Sequence, residues 1–304
     1  MPLSGGGQPN KPRACGRHAR DAYSFAQELG MAMRLESKFV TVDGVRLHYQ
    51  ETGTGSPLIC IHGAGPGASA ESNFRLNAGP FAEKFRVILY DMPQYGKSDK
   101  IVLTQPRLKY NAQLLSGFMS KMGIEKASIV GNSMGGQVAL KFGLDFPTIL
   151  ERVVVIGSGA MTSIFTPTPV EGVKMIGRYY KGTGPSREKL QELLTTIVYD
   201  SSFLTDEIFE ERYEASIDPE VVDLFGKRQS ELPRETLAAD LGKLRAKLLV
   251  IWGMDDRFGA LDVGLQMTRI VPDAQMHIFA RCGHWAQIEH AAVFNRLVLD
   301  FLLY

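Results

Sequence analysis

The sequence predicts an α/β fold, a mostly parallel sheet flanked by helices, with an inserted helical lid domain. Three observations predict it. Short continuous apolar runs recur at Pro57–Ile61, Arg86–Tyr90, Ala127–Val130, Arg152–Ile156 and Ala246–Trp252. Runs of that length without alternation suit strands buried on both faces, as in a parallel sheet covered by helices. The stretches between them carry apolar residues at helical spacing, and alternating strand and helix means an α/β sheet. The alternation then stops between Ile156 and Ala246, where amphipathic pieces follow one another with no buried-strand run.

At 304 residues the chain suits one sizeable core with an inserted segment. Its 44% apolar and 22% charged residues are ordinary for a globular protein and argue against a disordered chain. Thirty-four Lys and Arg against 33 Asp and Glu leave a formal charge of +1, which offers no footprint for nucleic acid or an anionic membrane. No apolar run approaches a transmembrane length. Cys15, Cys60 and Cys282 are too few and too scattered for a disulfide framework or a zinc cage, so a cytoplasmic location is expected.

Residues 1–36 read as a loosely ordered N-terminal extension, basic and broken by Gly5-Gly6-Gly7, Pro9 and Pro12. No apolar run follows its charges, as a secretory signal would require. A short helix near Asp21–Leu35, a transit peptide, and a start at Met31 or Met33 stay open. Lys38–Val42 and Val45–Gln50 flank Asp43-Gly44, a pair that accepts the positive φ of a tight hairpin turn. In Lys109–Met122 the residues Tyr110, Leu114, Phe118 and Met122 recur every four positions, and Phe294, Leu297, Val298, Phe301 and Leu302 mark the last helix. Val170–Tyr180, Arg187–Tyr199 and Asp206–Ser216 are the amphipathic pieces of the insertion. The expected division is therefore a core of residues 37–158 and 236–304 with a lid of residues 159–235. Such a lid covers the strand ends, where open α/β sheets bind ligands.

Gly131-Asn132-Ser133-Met134-Gly135 is the sharpest motif. It follows a strand and opens a helix at Gly136–Phe142, the context of a nucleophile elbow, where glycines relieve a tight turn and leave the serine hydroxyl exposed. A serine needs a base held by a third group. Gly253-Met254-Asp255-Asp256 follows the strand Ala246–Trp252, and Asp256 fits the spacing, with Asp255 as the fallback. Gly283-His284 follows the strand Gln275–Ala280; His290 is its rival, at the start of the last helix. His62 and His277 read as structural, and His48 falls in the hairpin. The developing oxyanion needs backbone donors. Met134 supplies one, and the glycine-rich loop His62-Gly63-Ala64-Gly65-Pro66-Gly67 should supply the other. A phosphate cradle there is disfavoured, since no Lys-Ser/Thr follows.

These residues resemble the α/β-hydrolase enzymes that cleave a carbon–carbon bond in meta-cleavage products of aromatic degradation, above all those of the biphenyl pathway. The likeness runs from about residue 38 to the C-terminus. It rests on His62–Ala68 with Ser72-Asn73, Gly131–Gly136, Trp252–Phe258, Cys282–Gln287 and Glu289-His290. Asn132 and Trp285 are the telling residues, because the triad is common to every serine hydrolase of this fold. The resemblance implies the α/β-hydrolase fold and a triad of Ser133, His284 and Asp256, with Ala64 and Met134 forming the oxyanion hole. It implies that Gly63, Asn73, Asn132, Arg212, Phe258 and Trp285 bind substrate, Arg212 by clamping its charged oxygens. The implied substrate is a 2-hydroxy-6-oxo-6-aryl-hexa-2,4-dienoate, an aromatic-derived small molecule. Its products are an aromatic carboxylic acid and 2-hydroxypenta-2,4-dienoate. Neither metal nor organic cofactor is implied, and relatives are homo-oligomers, so a dimer or tetramer is expected.

The chain departs from the family in two places. Ala64 stands where glycine is common, so its Cβ must fit the backbone that presents the oxyanion amide. At the apolar end Ile197 and Gly259 replace a phenylalanine and a valine, which would enlarge the pocket. The main alternative is a carboxylesterase on the same scaffold. Dehalogenases and epoxide hydrolases carry Asp at the nucleophile position, and a receptor without catalysis would not need an intact triad.

Overall fold

The computed structural model describes residues 35–226, 232–233 and 235–304. The N-terminal extension before Leu35 lies outside the described residues. Eight strands form the sheet: β1 Lys38–Val42, β2 Val45–Thr52, β3 Ser56–Ile61, β4 Phe85–Tyr90, β5 Ala127–Asn132, β6 Leu150–Ile156, β7 Lys247–Gly253 and β8 Ala274–Phe279. Their order is β1-β2-β4-β3-β5-β6-β7-β8. The β1–β2 and β2–β4 pairs are antiparallel, and the others are parallel. Asp43 (φ 49°) and Gly44 (φ 80°) close the first hairpin in the expected left-handed region.

Strand pleating explains the continuous apolar runs. In β3, Ile59 and Ile61 face one core while Leu58 and Cys60 face the other. In β6, Val153 and Val155 oppose Val154 and Ile156 in the same way. Helices α1 Ala70–Phe74 and α2 Ala78–Ala82 cover one face, together with α10 Ala286–Glu289 and α11 Ala291–Leu303. Helices α3 Arg107–Lys121, α4 Met134–Asp145 and α9 Leu261–Ile270 cover the other. Helix α3 begins two residues before the periodic pattern. The carboxylate of Glu235 accepts the N–H groups of Leu108 (2.5 Å) and Lys109 (3.1 Å), a cap supplied from far along the chain.

Between β6 and β7 come α5 Glu171–Tyr179, α6 Arg187–Ile197, α7 Asp206–Ser216 and α8 Pro219–Gly226. Tyr179, Leu190, Leu193, Leu194, Ile197 and Phe203 pack together, and Phe258 and Trp285 from the loops beyond β7 and β8 join them. These helices lie across the carboxyl ends of the parallel strands. Gly172 N–H donates to the Arg257 carbonyl (3.1 Å), and Glu211 pairs with Arg75. A side chain at Gly67, after β3, would collide with the carbonyl of Arg212. Among the described residues, no helix is long and apolar enough to cross a membrane.

Candidate active site

Ser133 sits between β5 and α4 with φ 52° and ψ −115°, a strained conformation for a residue with a side chain. Two glycines make it accessible. A Cβ on Gly131 would lie 2.5 Å from the backbone of Gly135, and one on Gly135 would collide with the carbonyl of Ile61. The Ser133 N–H donates to the Ile156 carbonyl at 2.7 Å, pinning the turn to the neighbouring strand. The Met134 N–H opens helix α4, where no intrahelical acceptor exists for it.

His284 Nδ1 lies 2.8 Å from Asp256 Oδ2, and both side chains are almost fully buried. Asp256 Oδ1 accepts the N–H groups of Phe258 (2.7 Å) and Gly259 (2.8 Å), so the carboxylate is fixed before it meets the imidazole. A carboxylate at Nδ1 fixes that nitrogen as the proton bearer and leaves Nε2 as the basic one. The Phe258 ring stacks on the His284 ring at 5.3 Å. A Cβ on Gly157 would lie 2.7 Å from His284 Nδ1, so glycine there makes room for the pair.

The competing residues fall elsewhere. Asp255 is exposed. His290 Nε2 donates to the Arg281 carbonyl. His277 rests against Phe279, and His48 pairs with Asp91 at 2.7 Å. Burial keeps His62 below the usual imidazole range; its Nδ1–H donates to Gly63 O (2.8 Å) and its Nε2 accepts the Met92 N–H (3.1 Å). His62 therefore shapes the glycine-rich loop.

That loop meets the serine directly. A Cβ on Gly63 would lie 2.8 Å from Asn132 Oδ1 and 3.2 Å from Ser133 Cβ. The Gly63 N–H is taken by Asn73 Oδ1 at 3.0 Å, which leaves Ala64 as the next amide along the loop. Ala64 is not among the residues with positive φ, so its Cβ fits without strain. Asn132 Nδ2 donates to Ile156 O at 3.2 Å, while its Oδ1 is buried without a partner. Arg212 is 3% exposed. Its Nη1 donates to Ser72 Oγ (3.3 Å), its Nε is unpartnered, and its guanidinium lies 5.1 Å from the Trp285 ring. Burial pulls its pKa down to about 10, so it stays charged at neutral pH. Its neighbour Glu211 is engaged by Arg75 at 2.5 and 2.7 Å.

Beside Ser133 opens a cavity of about 760 Å³, bordered by Phe258 and Gly259 and by Leu103, Leu108 and Val173. Two placements differ from expectation. Ile197 does not line this cavity: its side chain is buried in the core of the insertion, and its carbonyl accepts the His284 N–H at 2.7 Å. Gly259 does line it, but a Cβ there would lie 2.8 Å from Trp252 and 2.9 Å from Gly157 O, so the missing side chain leaves little room of its own. The space comes from residues the motifs do not mark. Arg107 and Gln137 also line it. Gln137 was findable, one helical turn after Ser133, whereas nothing near Arg107 in the sequence signals a site.

A family model for the alpha/beta hydrolase fold matches residues 56–291. The chain is 44% identical over 277 residues to a 2-hydroxy-6-oxo-6-phenylhexa-2,4-dienoate hydrolase of Burkholderia cepacia, covering 88% of this chain and 96% of the relative. It is 43% identical, with the same coverage, to a 2-hydroxy-6-oxononadienedioate/2-hydroxy-6-oxononatrienedioate hydrolase of Comamonas testosteroni. Among solved structures it is similar to a meta-cleavage product hydrolase of Pseudomonas fluorescens. That match has a TM-score of 0.79 and 33% identity over 88% of this chain and 97% of the other. The chain belongs to the meta-cleavage product hydrolases of the α/β-hydrolase fold.

Proposed function

We propose that this protein hydrolyses the C5–C6 bond of 2-hydroxy-6-oxo-6-aryl-hexa-2,4-dienoates, with Ser133 as nucleophile, His284 as base and Asp256 as its anchor. The observation that carries the substrate class is Arg212. A buried guanidinium with no carboxylate bonded to it is costly, and a substrate carboxylate would compensate it. Ser72 and Trp285 lie against it, and Asn73 and Asn132 meet Gly63 beside the serine, which suits the polar end of a dienoate.

In this reading the dienol first becomes a ketone. His284 passes the 2-hydroxyl proton to C5, and Arg212 holds the carboxylate while the 2-oxo group forms. The Ser133 hydroxyl gives its proton to His284 and attacks C6, and the amides of Ala64 and Met134 stabilise the oxyanion. Collapse breaks C5–C6. The electron pair leaves on the dienolate, which is protonated to 2-hydroxypenta-2,4-dienoate, and water delivered through His284 releases the aromatic acid from the serine. Residues 37–158 and 236–304 act as the scaffold and 159–235 as the lid. The protein is read as a cytoplasmic homo-oligomer, dimer or tetramer, and sedimentation would establish its mass.

The test is spectrophotometric. The yellow absorbance of 6-phenyl dienoate should vanish with formation of benzoate and the pentadienoate. Turnover of p-nitrophenyl esters with no loss of the dienoate would overturn the reading in favour of a carboxylesterase.

A further inference from the structure

Glu289 ends α10, five residues after His284, and the chemistry above does not use it. Its Oε1 accepts the Gly283 N–H at 2.8 Å. Its Oε2 accepts the N–H groups of Tyr199 (2.7 Å) and Asp200 (3.4 Å), which follow α6 in the inserted helices. A single carboxylate thus bridges the backbone just before His284 to the backbone of the insertion. The bridge is reinforced alongside, where the His284 N–H donates to Ile197 O at 2.7 Å. The two segments are too close for a side chain between them: a Cβ on Gly283 would lie 2.6 Å from Ile197 O and 2.7 Å from Val198 Cα.

We propose that Glu289 is a positioning residue that ties the inserted helices to the His284 loop and so holds the imidazole in register with Asp256 and Ser133. The proposal rests on His284 being the base. It makes docking of the insertion and alignment of the base one event, since both depend on the same two oxygens. Anionic Glu289 accepts on both sides at once. Once protonated, the oxygen that carries the hydrogen is a poorer acceptor and needs an acceptor of its own.

The environment puts this change near neutrality. Burial raises the Glu289 carboxyl to about 7, the backbone donors of Tyr199, Gly283 and Asp200 oppose that rise, and the negative Asp256 adds to it. The other titratable groups around it are the Cys282 thiol, 3.9 Å from Oε1 and pushed up by burial, with Asp255 beyond it. Asp200 faces it from the insertion, its own carboxylate capping Ser202 N–H, and His290 follows it in the chain. With a carboxyl raised in this way, the bridge is intact above pH 7 and weakens as pH falls through it.

The experiment compares wild type with Glu289→Gln, close to isosteric, and with Tyr199→Pro, which deletes the 2.7 Å donor but keeps the carboxylate. Hydrolysis of a p-nitrophenyl ester is followed from pH 5 to 9 on protein shown folded by circular dichroism. Both variants should lose about tenfold in kcat, given that an ångström of misplacement costs on the order of a hundredfold, with little change in KM. The acid limb of wild-type kcat should be steeper near pH 7, by one ionisation, than that of Glu289→Gln, which keeps what the unchanged triad contributes. Wild-type kcat in both variants, or an acid limb as steep in Glu289→Gln as in wild type, overturns the proposal. Because the ester reports the triad alone, failure of the wild type on dienoates would defeat the substrate assignment and leave this test readable.

Discussion

Arg212 is 3% exposed and borders, with Ser72 and Trp285, a cavity of about 20 Å³; Ser133, Phe258 and Gly259 border one of about 760 Å³. On the tight side the polar groups around Arg212 are fixed by named bonds, from Asn73 to Gly63 and from Arg212 to Ser72. The roomy side is walled largely by loops and by the start of the insertion, held by bonds such as Ser163 Oγ to Asp262 and Gln137 Nε2 to Gly159 O. The difference suits a substrate whose dienoate end is constant and whose C6 substituent varies. Charge recognition needs preorganised donors, whereas a variable substituent needs room.

The largest effect should come from Ser133 itself. Ser133→Ala should lower turnover at least about a thousandfold, as expected for loss of a triad nucleophile. Both sides remain, so dienoate should still bind and its ketone should still form. Stopped-flow spectra check this: a ketonised species that accumulates without C–C cleavage is expected, and near wild-type cleavage would remove the covalent route.

Arg212→Ala separates the two sides. Losing one partner of a buried charge pair costs about 2–5 kcal/mol, so kcat/KM for 6-phenyl dienoate should fall on the order of a hundredfold. A neutral aryl ester, which presents nothing to clamp, should lose far less. Burial lowers the Arg212 pKa to about 10, so the charged form is present below that pH and lost above it. Dienoate KM should therefore rise above about pH 10 while ester KM does not. Equal losses on both substrates would make Arg212 a packing residue.

How far the sequence could be read follows the same division. The strands, the Ser133 turn and the Asp256–His284 contact were legible because apolar runs and glycine spacing are local consequences of burial and turn geometry. Glu235 capping α3 was not, because capping by a residue over a hundred positions away leaves no local pattern. Ile197 illustrates the opposite error. A lid residue aligned to a pocket wall in other chains packs here among Leu193, Leu194 and Trp285 and turns its carbonyl to His284. Backbone roles of that kind are invisible to side-chain comparison. Glu289 stood inside a quoted motif, yet its function depends on Tyr199 and Gly283 coming together in space.

Gly259 tests whether the roomy side can be narrowed without touching the Asp256–His284 pair. A new Cβ would meet Trp252 at 2.8 Å, Gly157 O at 2.9 Å and Asp256 Oδ2 at 3.1 Å. Backbone and a buried indole cannot give way cheaply, and overpacking costs about 1–3 kcal/mol. Gly259→Ala should thus lower kcat about tenfold on esters and dienoates alike, by displacing Asp256, and lower the melting temperature. Selective loss of bulky substrates, with small ones unaffected, would show that Gly259 acts as a pocket wall after all.

The smallest effect concerns the C6 substituent itself. A methyl group leaves most of a 760 Å³ cavity unfilled, forfeiting dispersion contacts with Leu103, Leu108, Val173 and Phe258. A phenyl or naphthyl ring reaches those walls, and each further buried methylene-sized group is worth roughly 0.8 kcal/mol. The full gain will not appear in the rate. A closely fitting pocket discriminates by about tenfold or more per methylene, but this one is wide and its polar lining, Arg107, Gln137 and Glu235 included, favours retained water. We therefore expect kcat/KM for 6-phenyl dienoate to exceed that for 6-methyl by less than about tenfold, with 6-naphthyl close to 6-phenyl. Measuring the three substrates side by side checks it. A preference for methyl would mean that the loops bordering the cavity close inward on the bound substrate, and that the contrast between the small and the large cavity belongs to the open enzyme alone.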